Sequence, residues 1–417
     1  MANSILTPTM ILRESLRVLH GKIPFLSTIN REYDDKFAKT GAKIGSTLGI
    51  RLPSKYTVRT GATLSAQDHV ERSTPLTVTT QIGVDVSFTS VDLTMSMDDF
   101  SARFIQPAMA QLGAYLESDC LTRAYKLVPN YHGTTSTQLT YKTFMNGGQY
   151  LTENLAPPSQ RTALLNPASV VEFMDATKGL FSAPTNLNQQ FREGMLGRTG
   201  GFDVYEDTFL PSHTRGTFAG SPLTTGTTLG TSTTANAWVS SSTIDIDTAT
   251  SATTLKAGDI LTISGVYDVH PESKANTGRL KRFVVQSDVT LTTLATAYTV
   301  TVKPGMIYGT GNAYKNCVLS GVSDTDNNTV TCFGVASTAY GQNLQYHKDA
   351  FVFGTADLVD VTEFGAWGAR DSMDGISMRI AKQYAISSDT VPCRIDVLYG
   401  FGELYPELAV RGFHALT

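Results

Sequence analysis

The sequence predicts an α+β fold interrupted by an all-β insertion. Three observations carry this. Apolar and polar residues alternate from Leu76 to Met97 as they do in a strand, and an apolar stripe recurs at three- and four-residue spacing between Asp98 and Leu127. Composition then breaks after Ser221, where 18 of the 35 residues to Leu255 are Ser or Thr and only Asp245 and Asp247 are charged. With 417 residues, 41% of them hydrophobic, the chain can build a sizeable core and two or three domains.

The first element reads as a short amphipathic helix. Thr7 suits its cap, Pro8 its first position and Gly21 its stop, and its apolar face is Ile11, Leu12, Leu16 and Leu19. The following stretch from Lys22 to Thr47 is charged and weakly periodic, so it is expected to need a partner surface. Between Ser46 and Phe88 two strands are expected, with Leu48, Ile50 and Leu52 leading in and Thr60 to Pro75 forming a polar tip. Such a hairpin is marginal alone. In the returning strand the apolar residues keep to even positions up to Phe88 and to odd ones from Val91, which implies a bulge or bend near Thr89 and Ser90.

The long helix expected from Asp98 to Leu127 is announced by Ser96 and Asp99, an approximate capping box, and would reach about 45 Å. Its stripe is Ile105, Met109, Leu112, Leu116, Cys120, Ala124 and Leu127. Pro107 conflicts with a helix interior, at a cost of about 3 kcal/mol, so the first turns are expected to be a separate piece. Next come a helix at Phe144 to Asn154, a buried strand at Thr162 to Leu165, a helix opened by Asn166 and Pro167, and a strand at Phe202 to Leu210. Within the insertion, strands at Ile260 to Ile263, Phe283 to Val285, Tyr298 to Val302 and Val330 to Phe333 suggest a small barrel or sandwich running to about Gln342. Afterwards Phe351 to Phe353, Met378 with Ile380, and Ile395, Val397 and Tyr399 are expected to complete the sheet begun before it.

Charge is uneven. Met1 to Arg59 holds ten basic and four acidic residues, a net of +6 on a chain whose total is -4. A basic leading segment on an acidic body is what a self-associating arm uses to find its neighbour, and Arg13, Arg17, Lys22, Arg31, Lys36, Arg51, Lys55 and Arg59 are its candidate contacts. The overall acidity, with a pI near 6.0, gives no global positive field of the kind a dedicated nucleic-acid binder carries. The first residues lack the charged start, apolar stretch and small-residue cleavage site of a secretory signal, so none is expected, and no apolar run approaches about 20 residues. Cys120, Cys317, Cys332 and Cys393 form no CxxC pair, which points to buried free thiols.

The sequence has no phosphate-binding glycine loop, HExxH or GxSxG. Of its seven histidines, His347 with Asp349 forms the one loose pair weighed as a candidate site, and a surface or core-edge role is the better reading. Asp324, Asp326 and Asn328 resemble the start of a calcium loop, but Thr329 stands where its glycine should be, so a turn is expected. Gly309 and Gly311 suit turns. No catalytic residue, metal site or cofactor is therefore expected.

Asn343 to Thr355 (NLQYHKDAFVFGT), Gly375 to Tyr384 (GISMRIAKQY) and Cys393 to Gly412 (CRIDVLYGFGELYPELAVRG) resemble the major coat proteins of tailed bacteriophages, with support from Gly201 to Pro211 (GFDVYEDTFLP). The likeness is to the branch typified by Salmonella phage P-twenty-two. It implies an HK97-type capsid fold: an N-terminal arm at 1–40, an extended hairpin loop at 41–90, a peripheral domain with a spine helix at 91–156, an axial domain at 157–216 and 343–417, and an inserted β-barrel domain at 217–342. Pro107 departs from that pattern at the start of the spine helix.

The resemblance further implies pentamers and hexamers of an icosahedral shell of triangulation seven around double-stranded DNA, contacted without sequence specificity. Scaffolding, portal and decoration proteins would be partners, and assembly would take place in the host cytoplasm. An encapsulin-like compartment would share the fold. A glycan-binding adhesin would need an aromatic platform, which Trp238 and Trp367 are too dispersed to make. On the arm reading, a chain lacking Met1 to Thr40 is expected to be a folded monomer that forms no shells.

Overall fold

A computed structural model describes residues 8–20, 23–31, 47–64, 66–67, 69, 71–89, 101–134, 138–177, 197–219, 223–225, 238–247, 253–292, 297–322, 327–359, 361–364, 367–373, 376–387 and 390–415. The chain divides into two compact units. The first holds Met1–Ile50, Thr74–Leu121 and Phe351–Leu404, and the second holds Arg51–Ser73, Thr122–Ala350 and Tyr405–Thr417.

The first unit is built on an antiparallel sheet whose long middle strand is Thr390–Glu403. Thr80–Thr89 pairs along one edge of it, from Thr80 opposite Tyr399 to Thr89 opposite Thr390. Along the other edge lie Ile376–Lys382 and Phe351–Thr355, and Trp367–Met373 extends the sheet beyond Ile376–Lys382. The helix Pro8–His20 packs on Trp367–Met373 and Ile376–Lys382, and buries Ile11, Leu12, Leu16 and Leu19 as its periodicity predicts.

The stretch after this helix differs from expectation. Pro24–Thr28 forms a second short helix, and Ile23, Phe25, Leu26 and Ile29 are fully buried. Asn30 then bridges in parallel to Val352. Phe25 meets Phe351 at 5.9 Å and Phe401 at 6.0 Å between ring centroids. Five residues are too few for helical periodicity to register, yet two aromatic neighbours from a distant part of the chain suffice to bury them. The expected need for an external partner is thus overturned for residues 23–31; residues 32–46 lie outside the described set.

The expected hairpin pairs Thr47–Leu52 with Arg72–Thr77. The returning strand is interrupted at Val78 and Thr79, earlier than the alternation suggested, because there it leaves its hairpin partner for the middle strand Thr390–Glu403. Gly400 permits the crossing, since a Cβ on it would lie 2.5 Å from the carbonyl oxygen of Thr77. Thr89 is still in register, and the expected bend at Ser90 lies outside the described residues. The same holds for the helix start at Asp98 and its capping box.

Ser101–Ile105 is a π-turn, and the α-helix proper is Gln106–Tyr125, about 30 Å long. Pro107 stands in the first turn of the α-helix, where proline is best tolerated. The predicted stripe is buried from Ile105 to Ala124, whereas Leu127 is half-buried in the turn beyond.

The second unit contains a seven-stranded mixed sheet. Its order is Tyr131–Gly133, Ala409–Ala415, Ala339–His347, Arg161–Leu165, Phe202–Glu206 and Arg198–Thr199, and Ser212–Thr214 also pairs with Ala339–His347. Residues after the insertion therefore complete two sheets and not one: 339–347 and 409–415 join this sheet, while the three predicted strands join the sheet of Thr80–Thr89. Tyr141–Glu153 and Pro167–Thr177 supply helices to this unit, the first capped reciprocally by Thr140 and Thr143, the second by Asn166, whose Oδ1 accepts from the Ser169 amide at 2.8 Å. Phe144 packs against Phe173 and Phe202 at 4.8 and 5.5 Å, while Val171 is 67% exposed.

Also in this unit, Ser242–Ile246, Ile260–Val269, Asn276–Val285, Tyr298–Lys303, Cys317–Leu319 and Val330–Cys332 form a six-stranded sheet around Phe283, Leu261, Ile263 and Val300. Its two ends are tied together: the Arg215 amide donates to the Thr338 carbonyl at 3.1 Å, and the Arg215 guanidinium to the carbonyls of Gly334 and Phe218 at 2.6 Å each.

His132 gives this unit an acid weakness. It is buried, and desolvation drives its pKa from 6.5 to about 4, with the Gln345 side chain opposing the fall and Arg282 adding to it. The folded chain keeps the ring neutral while the unfolded chain takes a proton below about 6.5. This stability is thus present above pH 6.5 and lost as pH falls to about 4, by roughly 3 kcal/mol in all. His132→Gln should flatten denaturant midpoints measured between pH 6.5 and 4, and an unchanged slope would remove His132 from the account.

Candidate functional site

The eight basic residues singled out by charge fall into three settings. Arg13 and Arg17 stand on the outer face of the first helix. The side chain of Arg13 is 74% exposed and pairs with Asp371 at 2.9 Å, and Arg17 pairs with Glu14 one turn earlier at 2.6 Å. Arg31 is half-buried at the end of the second helix's exit, while Lys22 and Lys36 lie outside the described residues. Exposed pairs of this kind contribute at most about 1 kcal/mol, so both arginines are available for other partners.

Arg51, Lys55 and Arg59 lie along the hairpin. Arg51 is exposed and pairs with Glu71 at 3.4 Å, and the Arg59 guanidinium reaches the Gly61 carbonyl. The tip is braced by its own polar groups: the Tyr56 hydroxyl meets His69 Nδ1 at 2.8 Å, and the Thr57 amide donates to Gln67 Oε1 at 2.8 Å. Beside these ties Val58 and Leu64 are 95% and 84% exposed.

Lys55 differs from the others. Its backbone amide donates to the Tyr314 hydroxyl at 3.2 Å, and burial pushes its amine below the usual lysine range, with Glu407 opposing and Arg72 and Lys281 adding to the fall. Arg72, in the polar stretch that alternation left as turn, lies over the rings of Tyr314 and Tyr405, 5.6 Å from each centroid. Lys274 nearby is lowered to about 8, chiefly by burial and then by Lys55, Arg72, Lys281 and Lys315. Sequence reasoning missed this cluster because its members are spread over some 350 positions with no local pattern joining them.

Of the motifs weighed for chemistry, His347, Asp349 and Asn328 lie within the described residues. His347 is buried with Nδ1 3.6 Å from Asp349 Oδ2 and accepts the Asp349 amide at 3.2 Å. The Asn328 backbone amide donates to Thr224 Oγ1 at 3.0 Å, and Asp324 and Asp326 are outside the described residues. All four cysteines are free and buried. Among the described residues no group of three or more His, Cys, Asp or Glu is placed to hold a metal ion, and no helix is long and apolar enough to cross a membrane.

A family model described as P22 coat protein, gene protein 5, matches residues 4–414. The chain belongs to the P22 coat protein family. It is a bacteriophage major capsid protein, a structural component of the virion that assembles with copies of itself. Several solved structures are similar to this coat protein. One described as Mycobacterium phage Che8 has 11% identity over 94% of this chain and 90% of that chain, with a TM-score of 0.42. A virus-like particle from Pyrococcus furiosus has 8% identity over 97% of each chain and a TM-score of 0.36. The CUS-3 coat protein I-domain has 21% identity over 27% of this chain and 95% of that chain, with a TM-score of 0.20. No curated protein matches the coat protein by sequence.

Proposed function

We propose that this coat protein forms the pentamers and hexamers of an icosahedral head of triangulation seven around double-stranded DNA. The family match over residues 4–414 is the observation that carries this reading. Head-to-tail contacts between identical subunits close into rings, and interfaces of about 2,000 Å² repeated over a shell make a stable container. On this reading the subunit has the HK97-type layout, with an arm at 1–40, a hairpin loop at 41–90, a peripheral domain at 91–156, an axial domain at 157–216 and 343–417, and a β-domain inserted at 217–342. The hydrogen bond between Arg215 and Thr338 supports an insertion, since it brings the two ends together.

Arg13, Arg17, Lys22, Arg31, Lys36, Arg51, Lys55 and Arg59 would meet acidic surfaces of neighbouring copies. Scaffolding and portal proteins would guide closure in the host cytoplasm, decoration proteins would bind the finished head, and packaged DNA would touch the inner face without sequence specificity. No catalytic step is assigned to the chain. Mixing the purified coat protein with a scaffolding protein should give closed particles in electron micrographs, and Arg51→Glu with Arg59→Glu should raise the concentration needed severalfold. Failure to form closed particles would overturn the reading, and particles from the charge-reversed chain at the same concentration would remove the hairpin cations from it.

A further inference from the structure

The hairpin tip and the β-rich segment meet at a seat that is held yet strained. Arg72 is 8% exposed, its guanidinium lies over Tyr314 and Tyr405, and its buried Nε has no hydrogen-bond acceptor. A desolvated guanidinium gains from two aromatic faces, but an unmade buried hydrogen bond offsets much of that gain. Around it stand Lys55, Lys274, Lys281 and Lys315, against Asp268, Glu272 and Glu407. Asp268 is already engaged by Lys281 at 2.7 Å, and the Lys274 amine is spent on the carbonyls of Pro271 and Lys315 at 2.7 and 3.1 Å. Five cations against three carboxylates therefore press on the point where the hairpin is fastened.

We propose that this seat is a strap within one chain: Tyr314 and Tyr405 hold the hairpin through Arg72, and the subunit joins a shell only when that hold is released. The strap restrains assembly, and its strain keeps it releasable. Exchanging a contact within a chain for an equivalent one between chains is a low-cost route to association, since the surfaces already exist. This inference rests on the hairpin's role as an inter-subunit arm.

The test uses the full chain, first as a dilute monomer and then with scaffolding protein. Trypsin cleavage after Lys55, which is half-buried at the seat, followed by mass spectrometry, reads hairpin release without assembly. Arg72→Ala should be cut about tenfold faster than the parent chain, the effect of losing one desolvated clasp, and should form shells at severalfold lower concentration. Lys274→Met removes a like charge and should do the reverse on both counts. Cleavage at the parental rate in both variants would show that no strap exists. Faster cleavage of Arg72→Ala with no gain in assembly would show that the strap is not a restraint. Absence of shells from every chain, the parent included, would instead sink the arm reading on which the proposal stands.

Discussion

A chain lacking Met1–Thr40 is expected to give no folded monomer. The deleted stretch carries Ile11, Leu12, Leu16, Leu19, Ile23, Phe25, Leu26 and Ile29, each at most 1% exposed. At about 1.5–3 kcal/mol for each large apolar side chain withdrawn from water, their loss exceeds the whole stability of an ordinary domain, about 5–15 kcal/mol. Charge and weak periodicity alone led to the opposite expectation, a soluble monomer unable to assemble. Size-exclusion chromatography with near-ultraviolet circular dichroism decides between them, and a monodisperse product with the parental aromatic signal would overturn the burial argument. Arg13→Ala and Arg17→Ala should by contrast leave stability within about 1 kcal/mol, since both side chains are in water.

Asp396→Ala is expected to destabilise the first unit by about 3–5 kcal/mol. Asp396 is wholly buried and receives two guanidinium groups, Arg379 and Arg394, each at 2.7 Å. Arg379 is the costly survivor: its side chain is only 16% exposed, and without the carboxylate it keeps a buried positive charge whose Nε already has no acceptor. Arg394, more than half exposed, can turn to solvent and adds little. Chemical denaturation of the variant should shift the midpoint, and a second substitution of Arg379 to Met should recover part of the loss. Additive losses in the double variant would mean the two groups are not coupled.

Sequence periodicity located most elements because each buries one face against its own unit. The first helix and the stripe from Ile105 to Ala124 declare themselves this way, whereas Arg161–Leu165, buried throughout, shows only as the short apolar run of Ala163, Leu164 and Leu165. What it could not locate depends on partners far along the chain. Phe25 is buried by Phe351 and Phe401, and Arg72 is held by Tyr314 and Tyr405; nothing within ten residues of either signals it. Short strands such as Cys317–Leu319 and Thr253–Leu255 escaped because three residues carry no measurable alternation. Of the eight basic candidates, composition identified a region but could not separate Arg13, standing in water, from Lys55, fastened beside a tyrosine.

The strand order of the seven-stranded sheet also sets a timetable for synthesis. Arg161–Leu165 emerges from the ribosome early, yet its antiparallel neighbour Ala339–His347 is made some 180 residues later, and Ala409–Ala415 later still. At about 5–20 residues per second the first strand waits roughly 10–35 s with one edge unpaired. The segment from Phe218 to Cys332, with a core cluster of its own, is translated within that interval. Its rapid collapse shortens the loop that the late strand must close and so lowers the entropy cost of pairing. A nascent-chain experiment that releases the polypeptide before residue 347 should therefore find the β-rich segment resistant to protease while the sheet around it is still digested.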